Sequence, residues 1–148
     1  MGMFTTGVTI VTSTDAQGHP LGMTINSFNS VSLEPPLILW SLSQGSHSLP
    51  AFEQARGYNV HVLGANQRAL AERFASKTAR RFEGIAWKFS DLGLPLLDGA
   101  AAVFECLQHA RHPEGDHVIF VGRVVRCHRH LGWEPLIFQG GRFFTTLA

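Results

Sequence analysis

Cysteine is scarce in this chain. Cys106 and Cys127 are the only two in 148 residues, too few for a disulfide framework. An excess of one charge is also missing. Twelve Lys and Arg against eleven Asp and Glu leave a formal net charge of +1, so no broad field draws the chain to nucleic acid or to an anionic membrane. The basic residues are scattered apart from Arg80-Arg81 and the Arg123–Arg129 segment, and neither has the interleaved aromatics of a single-strand-binding platform. No apolar run approaches the ~18 residues a membrane helix needs. The opening Met1-Gly-Met-Phe-Thr-Thr-Gly has neither the basic nor the apolar region of a signal peptide. A cytoplasmic protein is the expectation. Also missing are G-x-G-x-x-G after a first strand and G-x-x-x-x-G-K-[ST], so Rossmann and P-loop nucleotide sites are excluded.

What is present is the composition of an ordinary globular protein, 45% hydrophobic and 16% charged, with length for one domain over residues 1–148. Gly7–Ser13 is rich in β-branched residues and reads as a strand. Asp15-Ala-Gln-Gly18 closes a hairpin turn. Leu21–Ser32 continues as mostly β-type residues, broken near Asn26-Ser27 and ended by Glu34-Pro35-Pro36. Leu37–Leu42 is apolar on both faces, the mark of a buried strand. Ser48–Arg56 reads as a helix with Pro50 in its first turn and Gly57 ending it at positive φ. Tyr58–Leu63 alternates as a strand. Asn66 is the expected N-cap of a second helix, Gln67–Ser76, with Leu70, Ala71 and Phe74 on one face. Arg80–Gly99 is irregular, with Trp87 and Phe89 as anchors. Strands return at Ala101–Gln108, His117–His128, Pro135–Phe138 and Arg142–Thr145. Strands dominate and helices do not alternate with them, so the expected class is a mainly β antiparallel barrel.

Three features carry chemistry. Within Met23–Leu33, the polar residues Thr24, Asn26, Ser30 and Ser32 recur at even spacing, opposite Ile25, Ser27 and Val31. They either decorate a solvent-facing strand or line a groove for a flat ligand with one apolar edge and one edge of hydrogen-bonding groups. Ser43-Gln-Gly-Ser-His-Ser48 precedes the Pro50 helix. It is either an ordinary N-cap or a helix start prepared for a phosphate, with Gly45 allowing close approach. Arg111–His117 is a turn feeding a strand, and His117 at its mouth is either an exposed loop histidine or part of a ligand site. Cys106, His109, His112, Asp116 and His117 lie close in sequence, but their spacing matches no standard zinc arrangement, so no metal is expected.

Read in order, Thr6-Gly-Val-Thr-Ile-Val-Thr12, Gly22–Leu37, Asn59-Val-His-Val-Leu63, Arg73-Phe-Ala75, Gly115-Asp-His117 and Pro135–Phe138 resemble the flavin reductase-like family. These are short-chain NAD(P)H:flavin oxidoreductases, among them the reductase components of two-component flavin monooxygenases. The resemblance implies an FMN-binding split β-barrel of Greek-key topology, six-stranded and homodimeric. The flavin would be FMN or FAD, the co-substrate NADH or NADPH, and a partner monooxygenase a transient recipient of reduced flavin. By the same resemblance Thr24, Ile25, Asn26, Ser27, Ser30, Val31 and Ser32 would lie along the flavin. Ser46, His47 and Ser48 would meet its phosphate, and Arg73, Phe74 and Ala75 would contribute from the second helix. His117 would stand beside the ring where nicotinamide stacks, as the catalytic residue. Arg142 and Phe143 would match a C-terminal Arg–aromatic pair. The family's usual N-terminal helix has no counterpart before Gly7, so the chain reads as a trimmed or divergent member. Other classes remain open on the residues: a non-enzymatic flavin or haem carrier, an enzyme like pyridoxine-phosphate oxidase, or a β-barrel interaction module.

Overall fold

Strands account for most of the regular backbone in the computed structural model, which describes residues 1–145. In chain order they are β1 (Thr6–Gly7), β2 (Thr9–Thr14), β3 (Pro20–Ile25), β4 (Asn29–Leu33), β5 (Pro36–Ser43), β6 (Gly57–Val62), β7 (Trp87–Phe89), β8 (Pro95–Leu97), β9 (Ala102–Glu114), β10 (His117–Arg129), β11 (Ile137–Gln139) and β12 (Arg142–Phe144). Helix α1 (Leu49–Gln54) lies between β5 and β6, and α2 (Arg68–Ala75) follows β6 after a short 3-10 turn.

The main sheet has seven strands in the order β3-β2-β6-β9-β10-β5-β4. Its edge strands, β3 and β4, are consecutive in the chain and joined only by Asn26, Ser27 and Phe28. Those four Cα steps reach at most about 14 Å, whereas a flat seven-stranded sheet would hold its edges about 29 Å apart. The sheet must therefore curl until its edges approach. No ladder joins β3 to β4, so the result is a barrel split along that seam. The expected mainly β split barrel is observed, with seven strands where six were expected because Leu21–Ser32 is divided in two.

Alternation along the strands fills the barrel. Val118 and Phe120 of β10 and Ile38, Trp40 and Leu42 of β5 point inward, and the register sets Phe120 opposite Trp40. Their rings stack at 4.5 Å, with Phe52 of α1 and Tyr58 of β6 packed edge-on against Trp40 at 5.0 and 5.3 Å. All four are fully buried, each stabilising the fold by roughly 2–3 kcal/mol. β2 is buried on both faces. Val11 points into this core, while Val8 and Ile10 join Leu63, Ala71, Phe74, Leu97 and Leu136 in a second cluster beneath α2.

Two local expectations change. Gly57 is not at positive φ; it opens β6, where a Cβ would stand 2.2 Å from the Cys106 carbonyl oxygen of β9. It is glycine for close strand approach rather than for helix termination. Asn66 is not the cap of α2 but an exposed residue of the 3-10 turn. Gln67 occupies the N-cap of α2 without a side-chain cap bond; its Oε1 instead accepts the Gly64 N–H at 3.0 Å and closes the 3-10 turn. Pro36 behaves as expected of proline, occupying the first position of β5.

Candidate functional site

A cleft of about 620 Å³ opens beside β3. One wall is the turn after β5, contributing Gly45, Ser46, His47 and Ser48. The floor is Pro20–Met23. The far wall is the segment after α2, contributing Lys77, Thr78, Ala79, Arg81 and Phe82. Further along β3 lies a slot of about 170 Å³, lined by Val8, Thr24, Ile25, Asn26, Ala75, Phe138 and Phe143. Both cavities follow one strand, and Pro20 to Asn26 spans about 20 Å.

The two differ in chemistry. The cleft gathers His47, Lys77 and Arg81 with the hydroxyls of Ser46, Ser48 and Thr78, and among the described residues no carboxylate lines it. The slot is mostly apolar, with the exposed Asn26 amide at its edge. Arg81 is held over the floor: one Nη donates to the Gly22 carbonyl at 2.6 Å, the other to the Ser76 carbonyl. Its Nε is buried with no partner. Desolvation lowers the Arg81 pKa from its ordinary value.

The segment carrying Lys77 and Arg81 had no role assigned from sequence. Its signal was present in Lys77-Thr-Ala-Arg-Arg81, but the fold was needed to bring it opposite Ser46–Ser48. The helix start, by contrast, is weaker than its sequence suggested. α1 has only six residues, and the Ser46 hydroxyl accepts the Ser48 N–H at 3.3 Å. The cations across the cleft supply the positive charge that a helix dipole was expected to give.

Other sequence-derived residues divide. Thr24, Ile25, Asn26, Ala75 and Phe143 come together in the slot. The Thr24 hydroxyl donates to the Ala71 carbonyl at 2.6 Å and so also fastens β3 to α2. Ser27 lies at the seam. Its Oγ accepts the Ser41 N–H at 2.9 Å and donates to the Ser41 carbonyl at 3.2 Å, standing in for a missing strand bond. Ser30, Val31 and Ser32 line neither cavity. The break after Ile25 and a register shift between Ser30 and Ser32 put them on the opposite edge strand, so the even spacing does not give one polar face. Phe74 is fully buried against Phe82, at 5.1 Å, and is a core residue. Arg73 lines neither cavity because its guanidinium is taken up by backbone carbonyls: Nε donates to Arg81 at 2.8 Å, and Nη2 to Arg80 at 2.7 Å and to Glu83. Arg142 is exposed on β12, outside both cavities.

His117 opens β10, paired with Ser43 at the end of β5. The hairpin Glu114–His117 turns at Gly115, whose φ is +61°, and Gln44 N–H donates to the Asp116 carbonyl at 2.8 Å. His117 thus stands at the same end of the sheet as the Ser46 turn, exposed and outside both cavities. Its Nδ1 is 2.7 Å from Asp116 Oδ1, a hydrogen bond that lowers the Asp116 pKa below the usual carboxylate value. Among the described residues no group of three or more His, Cys, Asp or Glu is placed to hold a metal ion. No helix among them is long and apolar enough to cross a membrane.

The model of the flavin reductase like domain matches residues 1–147. The chain belongs to that family. Among proteins similar to this flavin reductase-like chain is the FMN reductase (NADH) SmoA of Agrobacterium fabrum, 48% identical over 97% of this chain and 80% of that protein. The reductase subunit HsaB of a flavin-dependent monooxygenase from Rhodococcus jostii is 38% identical over 97% of this chain and 73% of its own length. A solved structure of the NADH:FAD oxidoreductase SgcE6 of Streptomyces globisporus, in complex with NAD and FAD fragments, superposes with a TM-score of 0.93. It is 38% identical and covers 99% of this chain and 88% of that one.

Proposed function

We propose that this flavin reductase-like chain is an NAD(P)H:flavin oxidoreductase that holds its flavin along β3. The phosphate end lies in the cleft between Ser46–Ser48 and Lys77–Arg81, and the ring end lies toward Thr24–Asn26 and Phe143. The observation that carries this reading is the pairing of a carboxylate-free cationic cleft with an apolar slot on one strand. A flavin nucleotide has that polarity: a doubly charged phosphate at one end, a flat ring with one hydrogen-bonding edge at the other. The cleft's volume is within the usual range for such ligands.

The residues divide the work accordingly. Lys77 and Arg81 neutralise the phosphate, and the hydroxyls of Ser46, Ser48 and Thr78 complete its hydrogen bonds. Val8, Ile25 and Phe143 cover apolar ring surface and exclude water, while the Asn26 amide meets the polar edge. Bound flavin supplies the acceptor for a hydride from NADH or NADPH, so no side chain need act as nucleophile. His117, oriented by Asp116, positions the nicotinamide and does not transfer a proton. A second copy of the chain covers the outward face of β5 and β10, where Leu39 stands opposite Val121. The whole of residues 1–148 is one domain, and a monooxygenase of the kind served by HsaB is the recipient of the reduced flavin.

Steady-state oxidation of NADH with added flavin tests the reading. Activity should depend on FMN or FAD, and Lys77→Ala should raise the flavin KM about tenfold, the worth of one charge-assisted phosphate contact. Oxidation of neither NADH nor NADPH at any flavin concentration would overturn the enzymatic reading in favour of a flavin carrier.

A further inference from the structure

Arg73 is on the face of α2 directed at the loop that follows it, and every hydrogen bond its guanidinium makes goes to that loop. It donates to the carbonyls of Arg80, Arg81 and Glu83, gathering them around one planar fork. The rest of the loop is short of anchors. Ser76 and Thr78 make only local bonds, Ser76 Oγ to the Arg73 carbonyl at 2.7 Å and the Arg80 N–H to Thr78 Oγ1 at 3.2 Å. Lys77, Thr78, Ala79 and Arg80 are all exposed. Apart from Arg73, two kinds of contact tie the loop to the rest of the fold: apolar packing, of Phe82 on Phe74 and Trp87 and of Ile85 on the second core cluster, and the Arg81 guanidinium donating to Gly22 on the cleft floor. The second depends on where the Arg81 backbone sits, and Arg73 holds that carbonyl at 2.8 Å.

We infer that Arg73 is a positioning residue for the anion-binding wall of the cleft: it fixes the loop that presents Lys77 and Arg81, without itself touching ligand. This rests on the placement of the flavin phosphate proposed above. A rigid wall matters because a phosphate contact weakens steeply once its donors move by a fraction of an ångström. Lysine cannot replace the arginine fully, because a flexible ammonium does not hold three carbonyls in one plane as the guanidinium fork does.

The distinguishing experiment compares two ligands that share the ring and differ in the phosphate. Dissociation constants for FMN and for riboflavin are measured by flavin fluorescence quenching on the intact wild-type chain and on Arg73→Ala, Arg73→Gln and Arg73→Lys. Wild type should bind FMN more tightly than riboflavin. In Arg73→Ala and Arg73→Gln the FMN constant should rise about tenfold while the riboflavin constant changes less than about twofold, erasing the preference. Arg73→Lys should fall between, and it carries the test if the other two do not fold. Equal weakening of both ligands would make Arg73 a general structural residue and overturn the inference, as would unchanged FMN binding. A wild-type chain without any FMN preference would overturn the phosphate placement too, and is separated from the other failures by appearing before any substitution is made.

Discussion

Acid should loosen this fold through one residue, His61. The side chain is fully buried in β6, between β2 and β9. Its Nδ1 lies 3.0 Å from the Ile10 carbonyl, and its Nε2 lies 3.0 Å from the Leu97 N–H on β8. A carbonyl only accepts and an N–H only donates, so the ring must be neutral with its proton on Nδ1. A second proton, on Nε2, would face the Leu97 N–H and break one of the bonds that tie the β7–β8 hairpin to the sheet, beside those from Thr12 and Asn59 to the Pro95 carbonyl. Burial accordingly pushes the His61 pKa from 6.5 down to about 4. Because the folded value lies below the unfolded one, the unfolded chain takes up the proton first as pH falls. The stabilisation is complete above about 6.5 and is lost between there and about 4. A shift of about 2.5 units at 1.36 kcal/mol per unit gives a loss of about 3 kcal/mol across that window. Urea unfolding followed by tryptophan fluorescence at half-unit steps from pH 7 to pH 4 should show it. In His61→Gln the protein is weaker at pH 7 but the slope over this window should flatten. A wild-type stability that stays level from pH 6.5 to 4.5, or a variant that keeps the wild-type slope, would refute the reasoning.

Other expectations follow from the same geometry. Gly57→Ala should destabilise the chain by about 3 kcal/mol in the same urea assay, because its Cβ would meet the backbone of β9. Gly7→Ala, with nothing within 4 Å and no positive φ, should cost nothing measurable. His117→Ala should raise the nicotinamide KM several-fold and leave flavin affinity near wild type; complete loss of turnover would instead make His117 an obligate proton-transfer group. Val121→Arg should convert a dimer to a monomer in light scattering if the outward face of β5 and β10 joins two copies, and an unchanged mass would place that contact elsewhere.

Much of the fold could be read from strand-forming patterns because burial and alternation agree. Trp40, Phe120 and Tyr58 sit where apolar periodicity puts them, and β9 and β10 were both located, though short at their far ends. Periodicity failed where the chain breaks a strand. Thr24 and Ser30 look like neighbours on one face, yet the three-residue crossing from β3 to β4 sends them to opposite edges of the split. The site was half legible for a related reason. Ser46–Ser48 and Asn26 stand out as local clusters, but Lys77 and Arg81 belong to a loop whose meaning depends on folding against β3. The role of Arg73 is not legible in sequence, because an arginine beside a ligand loop and one beneath it look alike there. Its three carbonyl partners become visible only in the fold.

The central claim is that this barrel holds a flavin and lets a nicotinamide reduce it. The most direct test is the visible spectrum of the FMN-loaded chain under nitrogen as NADH, then NADPH, is added. At least one of them should bleach the flavin absorbance at a rate far above that of free FMN, with the colour returning on admission of air. A chain that binds FMN and stays yellow with both nicotinamides would contradict the claim.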